Sequence, residues 1–403
     1  MNNMLELLSP AGDFESLEYV LQYGADAVYV GSKGFGMRAG AKNFDFDDLK
    51  KAVMLAHEIG KKIYLTANTL PYTDEIEMFP EFIRNVAECD VDAVICADIG
   101  VLSLVKKYAP NVDIHISTQA GIVNHVTANA FYEMGANRIV LAREVPISDI
   151  YKIREKIPDD MQIEAFVHGA MCMSFSGRCL LSQYMVGRDA NRGQCAQPCR
   201  WKYYVVEEKR LNQPFELEET DKGTYIFNAK DLCMINHLEQ LKDAGVNSFK
   251  IEGRAKSSYY SAIITNAYRI ALDCVKEGKP LSQWVSDEVF TVSHRNYCTG
   301  FYFNHPDACQ YYENSGYIRK YDFIGTVDFS DGEYIHITQR NYFEKGEVLE
   351  IIQPQKPPLE IKIEELLTPD MQNINVARHP MQKLLIKSEL NIPANSILRR
   401  KVS

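Results

Sequence analysis

Runs of β-forming apolar residues alternate with amphipathic helical patterns along the first 254 residues. One phrase recurs four times: a glycine or polar helix stop, a short polar step, and then a β-rich apolar run. The copies are GADAVYVG at 24–31, DVDAVICAD at 90–98, GANRIVLAR at 135–143 and GVNSFKIEGR at 245–254. A helical pattern precedes each copy, as in DFESLEYVLQY, where apolar residues from Phe14 to Leu21 share one face. The pattern predicts repeated units of a helix followed by a buried strand.

Four further apolar runs bring the predicted strands to eight. They are LELL at 5–8, KIYLTAN at 62–68, DIHIST at 113–118 and QIEAFVHG at 162–169. Eight such units in about 250 residues match the size of a closed (β/α)8, TIM-like barrel, with an open doubly wound sheet as the alternative. The gap between the seventh and eighth strands predicts an insertion at about 172–244.

The pattern changes after the barrel. A helical stretch, SSYYSAIITNAYRIALDCVKEGK, ends at Gly278 and sets the predicted barrel domain at 1–278. Residues 279–317 form a mixed connector. From 318 to 403, short alternating runs such as FIGTVDFSDGEYIHITQ predict a small antiparallel β-barrel module.

Composition narrows the class of protein. Hydrophobic residues make up 46% of the chain and charged residues 24%, which is typical of a globular protein. The N-terminal MNNMLELLSPAGD lacks a basic region before an apolar stretch, and no apolar run reaches the ~20 residues that span a bilayer. We therefore expect a cytoplasmic protein without a membrane partner. A net charge of −10 argues against a non-specific nucleic-acid coat.

Residues 172–199, CMSFSGRCLLSQYMVGRDANRGQCAQPC, contain four of the ten cysteines. In a reducing compartment such a cluster is more typical of a metal or catalytic site than of disulfides. The spacing C-x6-C-x15-C-x3-C is wider than the paired C-x2–4-C of structural zinc sites. It favours an iron–sulfur cluster over zinc, and unligated thiols remain the third option. The predicted ligands are Cys172, Cys179, Cys195 and Cys199.

Basic residues accompany these cysteines. Between Met171 and Val206 five basic residues face the single acid Asp189, which gives a local charge of +4. Either this is an ordinary solvated surface or it faces an anionic ligand. The arginines concerned are Arg178, Arg188, Arg192 and Arg200.

In a (β/α)8 barrel the active site lies at the carboxyl ends of the strands. The residues that fall there are Ser9, Gly31 with the loop to Arg38, Asn68, Asp98, His115, Ser117, Gln119, Arg143, Glu144, His168, Glu252 and Arg254. From these we predict a catalytic set of Asn68, His115, Gln119, His168 and Glu252. The predicted substrate-binding set is Arg38, Arg143 and Arg254, together with Arg188, Arg192 and Arg200. Arg143 and Arg254 suit carboxylates or phosphates, unless they form internal salt bridges with Glu144 and Glu252.

The stretch EAFVHGAMCMSFSGRCLLS at 164–182 matches, at every fixed position, the signature E-x-F-x2-G-[SA]-[LIVM]-C-x4-G-x-C-x-[LIVM]-S of the collagenase-like U32 peptidase family. GRDANRGQCAQPCRW, GTYIFNAKDL and SFKIEGRAKSSYY then resemble the branch of this family involved in tRNA 5-hydroxyuridine synthesis. The resemblance covers essentially the whole chain.

The resemblance implies a barrel with a C-terminal β module and a cysteine-held iron–sulfur cluster, of the 4Fe–4S type. It also implies an oxygen-independent, prephenate-dependent hydroxylation of the tRNA wobble uridine, performed alone, as a homo-oligomer or with a paralogous subunit. Cys172 and Cys179 are the firmest ligands by this resemblance. Because some relatives lack the equivalent of Cys199, Cys233 is a conceivable substitute, although its pattern predicts a buried helical position.

On this basis we expect Arg143 and Arg254 to hold the two carboxylates of prephenate, and the arginines near the thiols to meet RNA phosphates. Two other functions remain open. A peptidase needs a nucleophile with a base, or a metal-bound water, and the sequence has no G-x-S-x-G; HEIGK at 57–61 lacks the second histidine of H-E-x-x-H. An RNA-binding subunit that acts beside a paralogue is the third possibility.

Overall fold

The computed structural model of the protein describes residues 5–33, 35, 42–172, 174–201, 229–303 and 317–402. Its main feature is a ring of parallel strands. The strands are β1 (Glu6–Pro10), β2 (Ala27–Gly31), β3 (Lys62–Ala67), β4 (Ala93–Cys96), β5 (Asp113–Ile116), β6 (Arg138–Val140), β7 (Gln162–Ala170) and β9 (Ser248–Ile251). Each pairs in parallel with the next, and β9 pairs with both β7 and β1, which closes the ring. The predicted eight-stranded barrel is therefore confirmed over the open sheet.

Helices cover the outside of this ring. They are α1 (Phe14–Gln22), α2 (Phe46–Glu58), α3 (Thr73–Ile76), α4 (Phe79–Glu88), α5 (Ile99–Tyr108), α6 (His125–Glu133), α7 (Ile147–Arg154) and α10 (Ser258–Glu277). Several begin where a short polar side chain accepts a backbone N–H of the first turn, which fixes the start of the helix. These caps are Asp13, Asp45, Asp98, Asn124 and Ser257. Gly278 ends α10 with a left-handed φ of 64°, as predicted.

The insertion follows the carboxyl end of β7, as the sequence pattern predicts. Its described part contains α8 (Leu181–Val186), β8 (Asp231–Cys233) and α9 (Leu238–Asp243). Strand β8 pairs antiparallel with β7, with Cys233 opposite His168. The helical position expected for Cys233 is therefore wrong, because this residue lies at the end of a short strand.

The interior of the barrel is divided between apolar and ionic contacts. Strands β1 to β4 contribute a small apolar cluster that includes Leu8, Tyr29, Tyr64 and Ile95. Strands β6, β7 and β9 contribute charged groups instead, which pair with one another and with Glu6 of β1. TIM-like barrels are usually filled by branched apolar side chains. The buried ion pairs of β1, β6, β7 and β9, the ionic half of the interior, therefore distinguish this barrel from most TIM-like barrels.

The C-terminal module is antiparallel, as predicted. Its seven-stranded sheet runs in the order β15-β14-β19-β11-β12-β18-β16 and forms a half-barrel, with β13 and β17 paired beside it. The strands are β11 (Tyr321–Ser330), β12 (Tyr334–Gln339), β13 (Phe343–Glu344), β14 (Val348–Ile352), β15 (Leu359–Lys362), β16 (Leu366–Leu367), β17 (Val376–Ala377), β18 (Lys383–Lys387) and β19 (Ile397–Lys401). The module has its own apolar core, which includes Ile324, Ile337 and Leu398.

Buried polar contacts join the module to the barrel. In the connector, α11 (Gln283–Glu288) ends at Glu288, whose carboxylate accepts two hydrogen bonds from Arg399 of β19 at 2.8 and 2.7 Å. Nearby, the rings of Tyr259 and Phe323 stack with centroids 5.4 Å apart. The connector also contributes β10 (Tyr297–Cys298), which pairs with β8. Within the described ranges, every helix is too short or too polar to cross a lipid bilayer.

Candidate active site

A cavity of about 490 Å³ opens at the carboxyl ends of the barrel strands. Side chains from the strand ends form its floor and walls, and the cysteine segment, residues 172–201, covers one side of its mouth. This volume lies within the range of about 300–1,000 Å³ typical of small-molecule sites. The lining residues on which the chemistry depends are Asn68, Ser117, Gln119, Arg143, Cys172, Cys179, Cys195, Cys199, Arg200, Lys250, Glu252 and Arg254.

Specific hydrogen bonds attach the cysteine segment to the barrel. The Glu144 carboxylate accepts from the backbone N–H of Ser176 at 2.7 Å and from its hydroxyl at 2.8 Å. Arg178 Nε donates to the carbonyl oxygen of Gln119 at 2.7 Å. Ser176 has a φ of 45°, an uncommon conformation for a residue with a side chain, which sharply turns the chain after Cys172. Glu144 is thus a structural anchor and not a partner of Arg143.

All four predicted cysteine ligands line this cavity. Cys172 is exposed and the other three are half-buried. Backbone N–H groups donate to Cys179 Sγ and Cys195 Sγ, each at 3.3 Å. Burial raises the pKa of the Cys199 thiol; the positive charge of Arg200 opposes this shift, and the three other thiols add to it. The other three thiols therefore lie close enough to Cys199 to affect its pKa.

Thiolates are the usual ligands of zinc and of iron–sulfur clusters, so the donor set fits both. Among the described residues, however, no group of three or more His, Cys, Asp or Glu side chains is arranged to hold a metal ion. The four thiols all border the cavity.

Cys233 is not among the residues that line the cavity. Its thiol lies behind β7, 3.8 Å from the hydroxyl of Tyr268, and burial raises its pKa to about 11. Cys199 lines the cavity with the other three thiols and Cys233 does not, so the geometry favours Cys199 as the fourth thiol.

Arg143 and Arg254 both reach the cavity. Arg143 lies 3.6 Å from the Glu252 carboxylate and stacks its guanidinium 3.9 Å from the centre of the Phe166 ring. Arg254 is 3% exposed and donates to the Thr66 hydroxyl at 2.7 Å. One internal salt bridge, the alternative to a ligand-binding role, is therefore present between Arg143 and Glu252, and the two arginines still face one space.

The other arginines differ in their positions. Arg200 lines the cavity and donates to the Met171 carbonyl at 3.1 Å. Arg188 is exposed and Arg192 pairs with Glu75, and neither is among the residues that line the cavity. Arg38 falls outside the described residues.

Asn68, Ser117 and Gln119 form a polar wall between the ends of β3 and β5. The Asn68 amide nitrogen donates to Ser117 Oγ at 3.2 Å, and the Gln119 backbone N–H donates to the same oxygen at 3.3 Å. The side-chain oxygen of Gln119 is buried and has no hydrogen-bond partner among the described residues. Asn68 and Gln119, two of the predicted catalytic residues, therefore lie in this wall, and both are hydrogen-bonded to the Ser117 hydroxyl.

The two predicted catalytic histidines do not line the cavity. His168 lies between β7 and α10, 3.2 Å from the Tyr268 hydroxyl and 3.4 Å from that of Tyr297. Burial, with smaller contributions from His294 and Lys256, lowers its pKa to about 3, so it is neutral at physiological pH. His115 packs edge-on against Tyr64 inside the barrel, where burial lowers its pKa well below the usual value. These positions indicate structural roles.

Lys250 is a cavity residue that our sequence analysis missed. It lies on β9, and its ammonium contacts the fully buried Glu164 carboxylate at 2.6 Å. Glu164 also pairs with Arg138, which in turn pairs with Glu6. A lysine within the apolar run SFKIEG was the available signal, because a charge inside a buried strand requires partners.

The cysteine segment also exposes apolar side chains around the mouth of the cavity. Tyr184 is 82% exposed, and five other large hydrophobic residues of the segment are more than a third exposed: Phe175, Leu180, Met185, Val186 and Trp201. Arg178 and Arg188 are exposed among them. Such a mixed apolar and basic surface is typical of a binding face rather than of ordinary solvent-exposed chain.

The fold and the site together define a class: a TIM-like barrel protein with a thiol-lined, cationic cavity and a C-terminal antiparallel module. Comparison with known proteins identifies the family within this class. The sequence profile described as peptidase family U32 matches residues 12–311, and that of the U32 C-terminal domain matches residues 319–399. The chain belongs to peptidase family U32, which confirms the resemblance found in the sequence.

Relatives within this family carry different names. The chain is 36% identical over 392 residues to tRNA hydroxylation protein P of Escherichia coli (strain K12), covering 87% of this chain and 86% of the relative. It is 33% identical over 402 residues to tRNA hydroxylation protein P1 of Bacillus subtilis (strain 168), covering 98% and 94%. It is 35% identical over 314 residues to a collagenase of Porphyromonas gingivalis (strain ATCC BAA-308 / W83), covering 74% of each chain.

Proposed function

We propose that this protein hydroxylates the wobble uridine of tRNA to 5-hydroxyuridine without molecular oxygen, using a cysteine-held iron–sulfur cluster and prephenate as co-substrate. The observation that carries the proposal is the convergence of four thiols and four cationic side chains on one cavity. The relatives named as tRNA hydroxylation proteins, which align with nearly the whole chain, support RNA hydroxylation as the reaction class. The expected location is the cytoplasm, where tRNA and prephenate occur.

The thiols at the mouth support the cofactor. Cys172, Cys179, Cys195 and Cys199 would hold the cluster, since iron–sulfur clusters are ligated by cysteine thiolates. When bound, the cluster supplies one-electron redox chemistry that protein side chains cannot provide. Backbone N–H groups already donate to two of the four sulfurs, and such hydrogen bonds tune the potential of a cluster.

The charge of the cavity supports a dianionic co-substrate. Among the described residues that line it, four are cations, Arg143, Arg200, Lys250 and Arg254, and two are carboxylates, Glu144 and Glu252. Lys250 is paired with the Glu164 carboxylate behind it, so a formal excess of one positive charge remains, before the thiols are counted. Prephenate carries two carboxylates at neutral pH. Arg143 and Arg254 present planar forks that bind carboxylates in a bidentate manner, and Glu252 orients the first of them.

The surface around the mouth supports RNA as the macromolecular substrate. Single-stranded RNA is bound by basic surfaces that contact phosphates and by aromatic side chains on which bases stack. The exposed Arg178 and Arg188 supply the charge, and Tyr184, Phe175 and Trp201 supply rings. A base that leaves an RNA loop at this surface has direct access to the cavity.

A peptidase is the second candidate, because one relative is named a collagenase. Cysteine and serine peptidases activate the nucleophile with an adjacent histidine. Among the described residues that line the cavity, none is a histidine. This composition favours the redox function. The third candidate is an RNA-binding subunit that acts beside a paralogue. It differs from the hydroxylase in having no catalytic activity of its own, and the experiments below distinguish the two.

The first test is the cofactor. The protein is purified anaerobically, and iron, sulfide and the visible absorption spectrum are measured for wild type, Cys172→Ala and Cys274→Ala. Cys274 lies in α10, away from the cavity, and serves as the matched control. We expect about four irons per chain and a broad absorption band, both lost in Cys172→Ala and retained in Cys274→Ala. Zinc, or no metal, in the wild type contradicts the proposal.

The second test is the reaction. Wild type, Arg143→Ala and Arg254→Ala are incubated anaerobically with tRNA and prephenate, and nucleosides are measured by mass spectrometry. We expect 5-hydroxyuridine only with wild type and only when prephenate is present, with cluster content unchanged in both variants. Full activity in both variants contradicts the assignment of the arginines, and a wild type active only beside a paralogue indicates the subunit function.

A further inference from the structure

The hydroxyl group of Ser117 is held in a defined hydrogen-bonding role. Its oxygen accepts from the Asn68 side-chain nitrogen at 3.2 Å and from the Gln119 backbone N–H at 3.3 Å. A serine hydroxyl has two acceptor lone pairs and one proton. Both lone pairs are therefore occupied, and the proton has no acceptor among the described residues. Ser117 faces the cavity as a donor.

Gln119 complements this donor. It is 6% exposed, lines the same wall, and its side-chain oxygen has no hydrogen-bond partner in the described part of the chain. As placed, this oxygen is shielded from the cavity. A buried acceptor without a partner costs about 1–3 kcal/mol, so a turn of the Gln119 amide that brings the oxygen to a ligand N–H recovers that cost. The wall thus offers a donor and, once the amide turns, an acceptor.

We propose that this wall recognises the target base as uracil, with Ser117 donating to the C4 oxygen and Gln119 accepting from the N3–H. The inference deepens the proposed function and rests on it. Uracil presents an acceptor at C4 beside a donor at N3, which matches the wall. Because C5 is bonded to C4, a hydrogen bond at the C4 oxygen also fixes the carbon that is hydroxylated.

Cytosine has the opposite pattern, with an amino group at C4 and an acceptor at N3. Its C4 amino group would face the Ser117 proton, and Ser117 cannot invert because its lone pairs are occupied. A polar site that matches one partner rejects the other by leaving buried groups unpaired. The preference for uridine thus depends on Asn68, which holds the hydroxyl in the donor state.

Three variants test this inference. Ser117→Ala removes the donor. Asn68→Asp keeps the shape but replaces the donating amide with an acceptor, so that the Ser117 proton turns to residue 68 and one lone pair faces the cavity. Thr118→Ala removes a neighbouring hydroxyl that is already committed to the Leu141 carbonyl at 3.1 Å. It is the control for base preference.

Each variant is assayed with two anticodon stem-loop RNAs that differ only in uridine or cytidine at the target position. The kcat/KM values for hydroxylation give the preference, and the fluorescence of 2-aminopurine placed beside the target reports extrusion of the base without needing the cofactor. Circular dichroism and thermal unfolding verify that each variant is folded.

We expect Ser117→Ala to reduce the uridine preference about tenfold and Asn68→Asp to move it towards cytidine. Thr118→Ala should keep the wild-type preference. Retention of the full uridine preference in folded Ser117→Ala and Asn68→Asp overturns the inference while the proposed function stands. If the wild type hydroxylates neither RNA but the fluorescence preference follows the variants as expected, the base-binding wall is supported and the proposed reaction fails.

Discussion

Gly31 controls the position of Arg254 in the cavity. This glycine ends β2, and a Cβ placed on it would lie 1.7 Å from Arg254 Nη1, 2.6 Å from its Cζ and 2.7 Å from Asn43 Oδ1. Ordinary van der Waals contact begins near 3.4 Å, so Gly31→Ala requires the guanidinium to retreat by about 1.7 Å. The 2.7 Å hydrogen bond from Arg254 to Thr66 cannot survive such a shift unless the whole loop moves.

The expected losses of stability and activity in Gly31→Ala follow from this displacement. Overpacking of a buried site costs about 1–3 kcal/mol of stability, and misplacement of a binding group by about 1 Å can cost ~10²-fold in activity. Under the proposed function, we therefore expect Gly31→Ala to remain folded, to bind a cluster as wild type does, and to lose about 10²-fold in kcat/KM for prephenate. Thr66→Val is the matched control, because it removes the same hydrogen bond without pushing Arg254.

The assay is initial-rate formation of 5-hydroxyuridine at varied prephenate concentration, with iron content and urea unfolding measured in parallel. Thr66→Val should lose only about five- to tenfold, as expected for one hydrogen bond. If Gly31→Ala retains wild-type kcat/KM and stability, then either Arg254 does not contact the co-substrate or its position is not set by this close approach. If Gly31→Ala and Thr66→Val lose the same fraction of kcat/KM, the steric argument is refuted, while a role for the hydrogen bond remains supported.

Other contacts give further predictions. Arg399→Met leaves Glu288 buried without its guanidinium partner, so urea unfolding should show a loss of about 3–5 kcal/mol; an unchanged midpoint contradicts this. Burial lowers the pKa of His168 to about 3, so His168→Gln should leave the pH–rate profile unchanged between about pH 5 and 8, and loss of an ionisation there refutes the structural role. Burial alone would raise the pKa of Glu6, but the charge and hydrogen bonds of Arg138, with smaller hydrogen bonds, outweigh it and lower the pKa below 4.5. This pairing contributes stability above the pKa that Glu6 has in the unfolded chain, and the contribution is lost as pH falls through the lower pKa of the folded state. Below pH 4.5 the urea midpoint should therefore fall less steeply for Glu6→Gln than for wild type.

The ionic half of the barrel interior has a consequence for the site. Buried ion pairs seldom add stability relative to well-packed apolar residues, yet Glu6, Arg138, Glu164 and Lys250 form a continuous set. The set holds the Lys250 ammonium at the cavity floor between the rings of Tyr29 and Phe166, 4.5 and 5.4 Å from their centres. Because its two carboxylates balance its two cations, the set fixes the position of the Lys250 ammonium without adding net charge to the floor.

Several features of this protein could be predicted from the sequence by itself. Strands that are buried on both faces must be continuous apolar runs, so the eight barrel strands were visible without a structure. The candidate ligand set of four thiols could also be predicted, because the residue type and the spacing are read directly from the sequence. Residues placed directly after strands, such as Asn68, Arg143 and Arg254, line the cavity, since parallel strands share one carboxyl edge.

Only the tertiary structure decided which side chains of a strand enter the cavity. A shift in register between Phe166 and His168 of β7 accompanies the departure of His168 from the lining, and its tyrosine partners lie at least 100 residues away in sequence. Lys250 was missed because its partner Glu164 lies 86 residues earlier, on another strand. Local pattern specifies the elements, whereas the direction and pairing of a buried polar group depend on neighbours that only the closed barrel brings together.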